Sequence, residues 1–374
     1  MINLILRRLI PKWISLIKFR NIPFNNQHKL FFSSSVFPIA GAFVTGLCLS
    51  VLFAACSSPS TVNSPNPSAT SVSSSASSKA TVVRFGYQKA TILLRTKGLL
   101  EKRLAPEGIT VKWTEFQAGP QLLEAMNVGS IDIGPVGESP PIFAQAAGAS
   151  LTYVVGIAAS PAGSAILVPQ NSQIQKLTDL KGKKVAFQKG SSAHLLLVQA
   201  LEKAGLKYTD IEPKYLAPAD ARAAFVKGSV DAWVIWDPFY AAAQEATKAR
   251  VLIDGTGINK QGGYYLMTRK FVTENPQTVK AILEEIQNLE EWSKQNREEV
   301  AKTLAPVLGI DVETMKKATN RRTFGIVPID DNLINLQQGV ADTYYKLKLI
   351  PKEVSVKDAV LTKEQYAAFS PKTS

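Results

Sequence analysis

Residues 118–148 read AGPQLLEAMNVGSIDIGPVGESPPIFAQAAG. Pro120 opens a helix, and Leu122, Leu123 and Met126 follow at helical spacing. SIDIGPVG then reads as a short strand, and Pro140-Pro141 begin a second helix rich in small apolar residues. Residues 218–249, PADARAAFVKGSVDAWVIWDPFYAAAQEATKA, repeat this grammar. Gly228-Ser229-Val230-Asp231 stands where Gly129-Ser130-Ile131-Asp132 stood: after a helix, opening a strand, and shortly before a Pro-started helix. Turn-plus-strand grammar recurs in many α/β chains. Two matching four-residue turns in matching contexts point further, to two similar lobes.

The same alternation extends outward on both sides. VVRFGYQ, beginning at Val82, reads as a strand, LLRTKGLLEKRL as a helix, VKWTEF and LTYVVGIAA as strands. The second series has KKVAFQ, then the helix SAHLLLVQALEKAG, then the strand IEPKYL. This βαβαβ order predicts an α/β fold of two lobes, each a mostly parallel sheet covered by helices. From Phe271 the chain is mostly helical, with Asn275 a candidate N-cap before Pro276. Such a tail returns to the first lobe and leaves the second as an insertion. Two crossings make a hinge, with a cleft between the lobes.

Composition narrows the function. The chain has 374 residues and a formal charge of +13, which by itself suggests a nucleic-acid binder. Six of the 43 basic residues lie in residues 1–56, which hold no acidic residue, so +7 is left on the rest. The uncharged run from Leu30 to Ala55 follows this basic start and ends in small residues, as a secretory signal does. Leu52-Phe53-Ala54-Ala55-Cys56 resembles a bacterial lipobox, with Cys56 as the lipidated residue. An uncleaved transmembrane anchor is the competing reading, because the run is long enough to span a bilayer. Both place the body outside the cytoplasm. Residues 57–79 contain 11 Ser and 3 Pro in 23 and read as a flexible tether reaching about 25–30 Å. Both cysteines, Cys48 and Cys56, precede that tether, so the body has no thiol.

No catalytic constellation stands out. His194 is the single imidazole of the body, and no G-x-S-x-G, G-x-G-x-x-G or Walker A motif is present. No paired acidic cluster suggests a metal, no cofactor is expected, and scattered Lys and Arg read as a solvated surface rather than a nucleic-acid face. What recurs is a polar, Gly-bearing loop just before a helix: Gln188-Lys189-Gly190-Ser191-Ser192, Gly137-Glu138-Ser139-Pro140, Ala118-Gly119-Pro120 and Trp236-Asp237-Pro238. Free N–H groups at a helix start attract anions, and glycine permits close approach. Simple capping by Ser191 or Ser192 explains the first loop equally well. Ligands of open α/β sheets sit at the carboxyl ends of strands, where these loops lie. Trp236 suits the wall for an organic group, though packing is its commoner role. Asp237 reads as an N-cap, and Gln88 could donate into the cleft.

Gly86-Tyr87-Gln88-Lys89, LLEKR, AGPQLLEAMNVGSIDIG, GESPPIFAQAAG, KGSSAH and DAWVIWDPFYAAA, with Arg321, Arg322, Gln338, Ala341 and Asp342 in the tail, resemble the aliphatic sulfonate-binding proteins of bacterial ABC importers. The resemblance covers roughly residues 82–360. It implies a two-lobe periplasmic-binding fold of the second type that closes on its ligand, with delivery to a membrane permease driven by an ATPase. It implies a small organic anion as ligand, an aliphatic sulfonate, with taurine, nitrate or another small anion as the alternative. An enzyme resembling the thiamine-pyrimidine synthases is a further alternative, disfavoured because their Cys-rich motif is missing here. Carried over by position, the pocket residues are Gln88, Gly137, Glu138, Ser139, Ser164, Ser191, Ser192, His194 and Trp236. Glu138 is awkward beside an anion; it faces a ligand amine or caps its own helix. The expected division is a signal over 1–55, lipidated Cys56 and tether over 56–80, the first lobe over 81–168 and 267–374, and the second over 169–266. A monomeric, lipid-anchored, exported binder is the resulting expectation.

Overall fold

The computed structural model describes residues 80–369. The expected signal, the tether and Cys56 lie outside the described residues. Eleven strands are described: β1 (Val82–Tyr87), β2 (Thr110–Glu115), β3 (Ile133–Val136), β4 (Thr152–Ile157), β5 (Ser164–Val168), β6 (Lys184–Phe187), β7 (Glu212–Tyr215), β8 (Ala232–Trp236), β9 (Arg250–Asp254), β10 (Tyr264–Met267) and β11 (Ile326–Val327). They form two sheets, in the orders β11-β4-β10-β3-β1-β2 and β7-β6-β8-β5-β9. Apart from β11 the sheets match strand for strand, with β2, β1, β3, β10 and β4 answering β7, β6, β8, β5 and β9. The fold is α/β with two lobes.

The repeated turn has a physical cause. Gly129 and Gly228 both take left-handed φ values, 73° and 68°, and end their helices. Ser130 and Ser229 then donate their N–H groups back to Ala125 (2.8 Å) and Ala224 (2.9 Å). Asp132 and Asp231 begin the next strand by doubly binding its neighbour. The Asp132 carboxylate accepts from the Arg84 N–H at 2.8 Å while the Asp132 N–H donates to the Arg84 carbonyl. Asp231 does the same with Lys184, accepting at 2.7 Å. Each Gly-Ser-x-Asp therefore stops a helix and sets the register of a parallel pair. The Arg84 guanidinium adds an ion pair to Asp132.

The sequence-based boundaries shift in two places. β5 belongs to the second sheet and β10 to the first, so the crossings fall at residues 158–163 and 255–263, ahead of the expected 168 and 266. An apolar run announces a strand but not the sheet that takes it. Each crossing strand wedges in antiparallel to its neighbours: β10 between β3 and β4, β5 between β8 and β9. Only β1–β2, β1–β3, β6–β7 and β6–β8 are parallel, all on one side of each sheet, so both sheets are mixed rather than mostly parallel as expected. Asn275 is the N-cap residue of the helix Pro276–Gln295, as expected, but its side chain makes no capping bond; its Oδ1 accepts from the Ala80 N–H at 2.8 Å and pins the chain just before β1.

Apolar cores fill both faces of each sheet. Val83 and Phe85 of β1 pack with Val279, Ile282 and Ile286 of the helix Pro276–Gln295. Phe187 of β6 packs with Leu196, Leu197 and Leu201 of the helix Ser192–Lys203. Phe369, near the end of the described chain, lies in the first-lobe core.

Candidate functional site

The loops at the carboxyl ends of β1, β3, β6 and β8 converge with both crossings around a cavity of about 230 Å³. Gln88, Gly137, Glu138, Ser164, Ser191, Ser192 and Trp236 line it. Ser139 and His194, also expected there, do not. Ser139 is fully buried, and its hydroxyl meets the Tyr344 hydroxyl at 2.8 Å. His194 is fully buried, stacked on Phe187 with ring centroids 4.9 Å apart. Its Nδ1 accepts from the Gly190 N–H (3.2 Å), and its Nε2 meets the Tyr208 hydroxyl (3.0 Å). Burial pushes the imidazole pKa down to about 3, so it is neutral. His194 braces the Gly190-Ser191 loop from behind rather than entering the cavity.

That loop is built to leave donors free. Gly190 has φ 71°, and Ser191 is extended as the N-cap of the helix Ser192–Lys203. The Ser191 hydroxyl does not cap; it donates to the Gln188 carbonyl at 2.7 Å. The first-turn N–H groups of this helix therefore have no side-chain acceptor at the edge of the cavity, a standing attraction for an anion.

Glu138 and Ser192 join the lobes. The Ser192 hydroxyl donates to Glu138 Oε2 at 2.9 Å. A side chain on Gly137 would collide here, since its Cβ would lie 1.8 Å from Ser192 Oγ. Burial raises the Glu138 carboxyl pKa to about 7, against the lowering effect of its own backbone N–H and of Ser192. The folded protein thus binds this proton more tightly than the unfolded chain. Its contribution to stability is complete below about pH 4.5 and is lost as pH rises through about 7. Comparing melting across that window with Glu138→Gln should show the wild type losing about 3 kcal/mol relative to the variant. Parallel pH curves would place the proton elsewhere.

Other expected residues serve the walls. Gln88 Nε2 donates to the Pro135 carbonyl at 2.9 Å, tying β1 to β3 at the cavity edge. Ser164 begins β5 opposite Trp236 of β8, and the half-buried Trp236 indole forms part of the lining. Asp237 accepts the Ala241 N–H at 3.1 Å in the first turn of the helix Phe239–Thr247, as a capping side chain does, and is also an ion-pair partner. Its carboxylate accepts two hydrogen bonds of 2.8 Å from Arg321, whose guanidinium also lies 3.7 Å from the Tyr240 ring centroid. This pair ties the second lobe to the helix Val312–Arg321.

Sequence reading missed two parts of the lining. Asn259 and Gln261 come from the second crossing, where no strand or helix pattern flags them. Leu93, Val300, Leu304, Met315, Ala318 and Phe324 form an apolar arm that reaches between first-lobe helices. The cavity therefore pairs a donor-rich end with an apolar end. Among the described residues no group of three or more His, Cys, Asp or Glu could hold a metal ion, and no helix is long and apolar enough to cross a membrane.

Comparison with known proteins agrees with this geometry. An aliphatic sulfonates-binding protein of Escherichia coli (strain K12), so named, is 46% identical over 289 residues, covering 76% of this chain and 90% of its own. The alkanesulfonate-binding protein SsuA from Xanthomonas axonopodis pv. citri, solved bound to MOPS, superimposes with a TM-score of 0.73 at 43% identity, over 76% of this chain and 99% of that one. The desulfurization enzyme DSZB, at 16% identity, TM-score 0.54 and coverage of 77% and 98%, shares the fold alone. The profile of the NMT1-like family runs across residues 79–306, from the first strand through both crossings and into the covering helices, and the chain belongs to that family.

Proposed function

We propose that this protein is the extracytoplasmic solute-binding component of an ABC importer, and that it captures small organosulfonates between its lobes. The observation that carries the reading is the uncapped start of the helix Ser192–Lys203 facing an interlobe cavity with an apolar arm. A sulfonate stays ionised and carries no proton, so it needs donors. Backbone N–H groups supply them without a full counter-charge, which leaves release possible. The apolar arm suits the carbon chain. Gln88, Gly137, Glu138, Ser164, Ser191, Ser192 and Trp236 are the proposed pocket residues, with Ser139 and His194 acting as supports behind it. The named binding functions of the similar proteins support a binder rather than an enzyme.

Titration calorimetry with ethanesulfonate, longer alkanesulfonates, taurine, sulfate and nitrate tests the assignment. Binding of alkanesulfonates in preference to sulfate is expected; no binding of any at millimolar concentration would sink it. Ser191→Ala combined with Ser192→Ala should weaken binding by about 1–3 kcal/mol, and an unchanged affinity would confine both serines to holding the loop.

Residues 1–55 act, in this proposal, as an export signal, Cys56 as a lipid anchor, and residues 57–79 as the tether that keeps a monomeric body near its permease and ATPase. Cys56→Ser should move the protein from the membrane fraction to the soluble one. Retention at the membrane would favour an uncleaved transmembrane anchor.

A further inference from the structure

Glu138 is 5% exposed, and while its Oε2 holds Ser192, its Oε1 receives no hydrogen bond from the protein. Behind it lies a second cavity of about 230 Å³, bounded by the helix Ser192–Lys203, the crossing residues Asn259–Gln261 and the helix Asp331–Lys346. Glu138, Asn259 and Gln261 line both cavities and so form the partition between them. Four buried oxygens on the walls of the second cavity lack a donor: Glu138 Oε1, Gln199 Oε1, Asn259 Oδ1 and Gln261 Oε1.

The orientation of Gln261 follows from its neighbours. Gln337 Nε2 donates to the Glu138 carbonyl (2.7 Å) and to the Tyr153 hydroxyl (3.1 Å). Gln337 therefore presents its oxygen to Gln261, whose Nε2 donates to it at 2.7 Å. The remaining oxygen of Gln261 is the acceptor left over. Buried acceptors without donors are costly, and those on these walls include a carboxylate. Neutral amide oxygens with a single carboxylate match one positive charge, not the several charged ligands that a divalent ion commonly draws on.

We propose that the second cavity binds a small monovalent cation, ammonium or an alkali ion, alongside the anion in the main cavity. Closing the lobes over an anion places it one partition away from a buried carboxylate. A cation on the far side of Glu138 offsets that repulsion, so the two ions favour each other's binding. Lys260, exposed at the rim of the same cavity, is the chain's own competitor for the site.

The cation site can be read without a sulfonate, by melting the protein in ammonium, potassium, sodium or tetraethylammonium chloride at equal ionic strength and above about pH 8, where the Glu138 carboxyl is ionised. At least one small cation should raise the melting temperature of the wild type above its value in tetraethylammonium, which has no N–H donor. The rise should vanish in Gln199→Leu, which alters the second cavity alone, and in Glu138→Gln, which keeps the shape and removes the charge. The coupling to the main cavity rests on the sulfonate reading. In the effective salt, ethanesulfonate should bind wild type about five- to tenfold more tightly than in tetraethylammonium, with no difference in Gln199→Leu. Equal melting in all four salts overturns the site and assigns the cavity to water. A salt effect seen only after Lys260→Ala also overturns it, by making that lysine the occupant. A salt effect on melting with no sulfonate binding upholds the cation site and overturns the sulfonate reading.

Discussion

Gly137→Ala is expected to weaken ligand binding by about 1–3 kcal/mol, roughly ten- to a hundredfold, and to lower the melting temperature of the unliganded protein as well, because the lobes already meet at Glu138 and Ser192. The new Cβ would stand 1.8 Å from Ser192 Oγ and 3.2 Å from Ser192 Cβ. Turning the hydroxyl aside relieves the first contact but breaks its bond to Glu138, and the second contact stays tight. Gly137 belongs to the first lobe and Ser192 to the second. The collision therefore exists only when the lobes meet, as they do in this structure, and its cost falls on that state. Calorimetry together with ligand-induced thermal shift reads both halves of this expectation. A variant that binds as wild type does would show that closure leaves more room at Gly137 than the structure has.

Arg322→Met is expected to act on the fold itself, lowering stability by about 3–5 kcal/mol. Glu290 is 5% exposed and accepts from Arg322 at 2.7 Å and from the Gly325 N–H at 3.0 Å. Removing the guanidinium leaves a buried carboxylate with one neutral donor. Arg322 also donates to the Ala90 carbonyl at 2.8 Å, so the loop after β1 loses a tie to the tail. Glu290→Gln in the same chain should recover part of the loss, because the uncompensated charge is then absent. Urea denaturation of the two variants measures both. A loss below about 1 kcal/mol would mean that solvent reaches Glu290.

Residues whose role is set by their near neighbours were legible in the sequence. Gly129-Ser130-Ile131-Asp132 and Gly228-Ser229-Val230-Asp231 announce a helix stop because left-handed glycine geometry is a local matter, whereas the bonds of Asp132 and Asp231 to Arg84 and Lys184 span 48 and 47 residues and were not legible. The loop Gly190-Ser191-Ser192 was legible for the same reason. Roles set across the fold were not. Ser164-Ala165-Ile166-Leu167-Val168 and Tyr264-Tyr265-Leu266-Met267 stand outside the strand pattern read from the sequence, and nothing local says that each wedges into the sheet of the lobe opposite to the expected one. His194 carries the chemistry of a ligand-binding residue, and only its helix face, turned toward Phe187 and Tyr208, makes it a brace. Asn259 and Gln261 sit in a polar connection whose importance comes from distant partners such as Gln337.

The wedged strands also bear on the order in which the molecule can be completed. All strands of the second sheet lie between Ser164 and Asp254, so that lobe has its whole sheet once residue 254 has been made. The first lobe begins at Val82 yet lacks Tyr264–Met267, the strand that separates β3 from β4. Until it arrives, the nascent chain carries two unpaired apolar strand edges, the kind that recruit other chains into aggregates. A chain kept unfolded until its last residue has crossed a membrane escapes that interval, because β10 then becomes available together with the strands it joins. An architecture in which the lobe begun first is finished last is therefore better suited to folding after translocation than to folding on the ribosome.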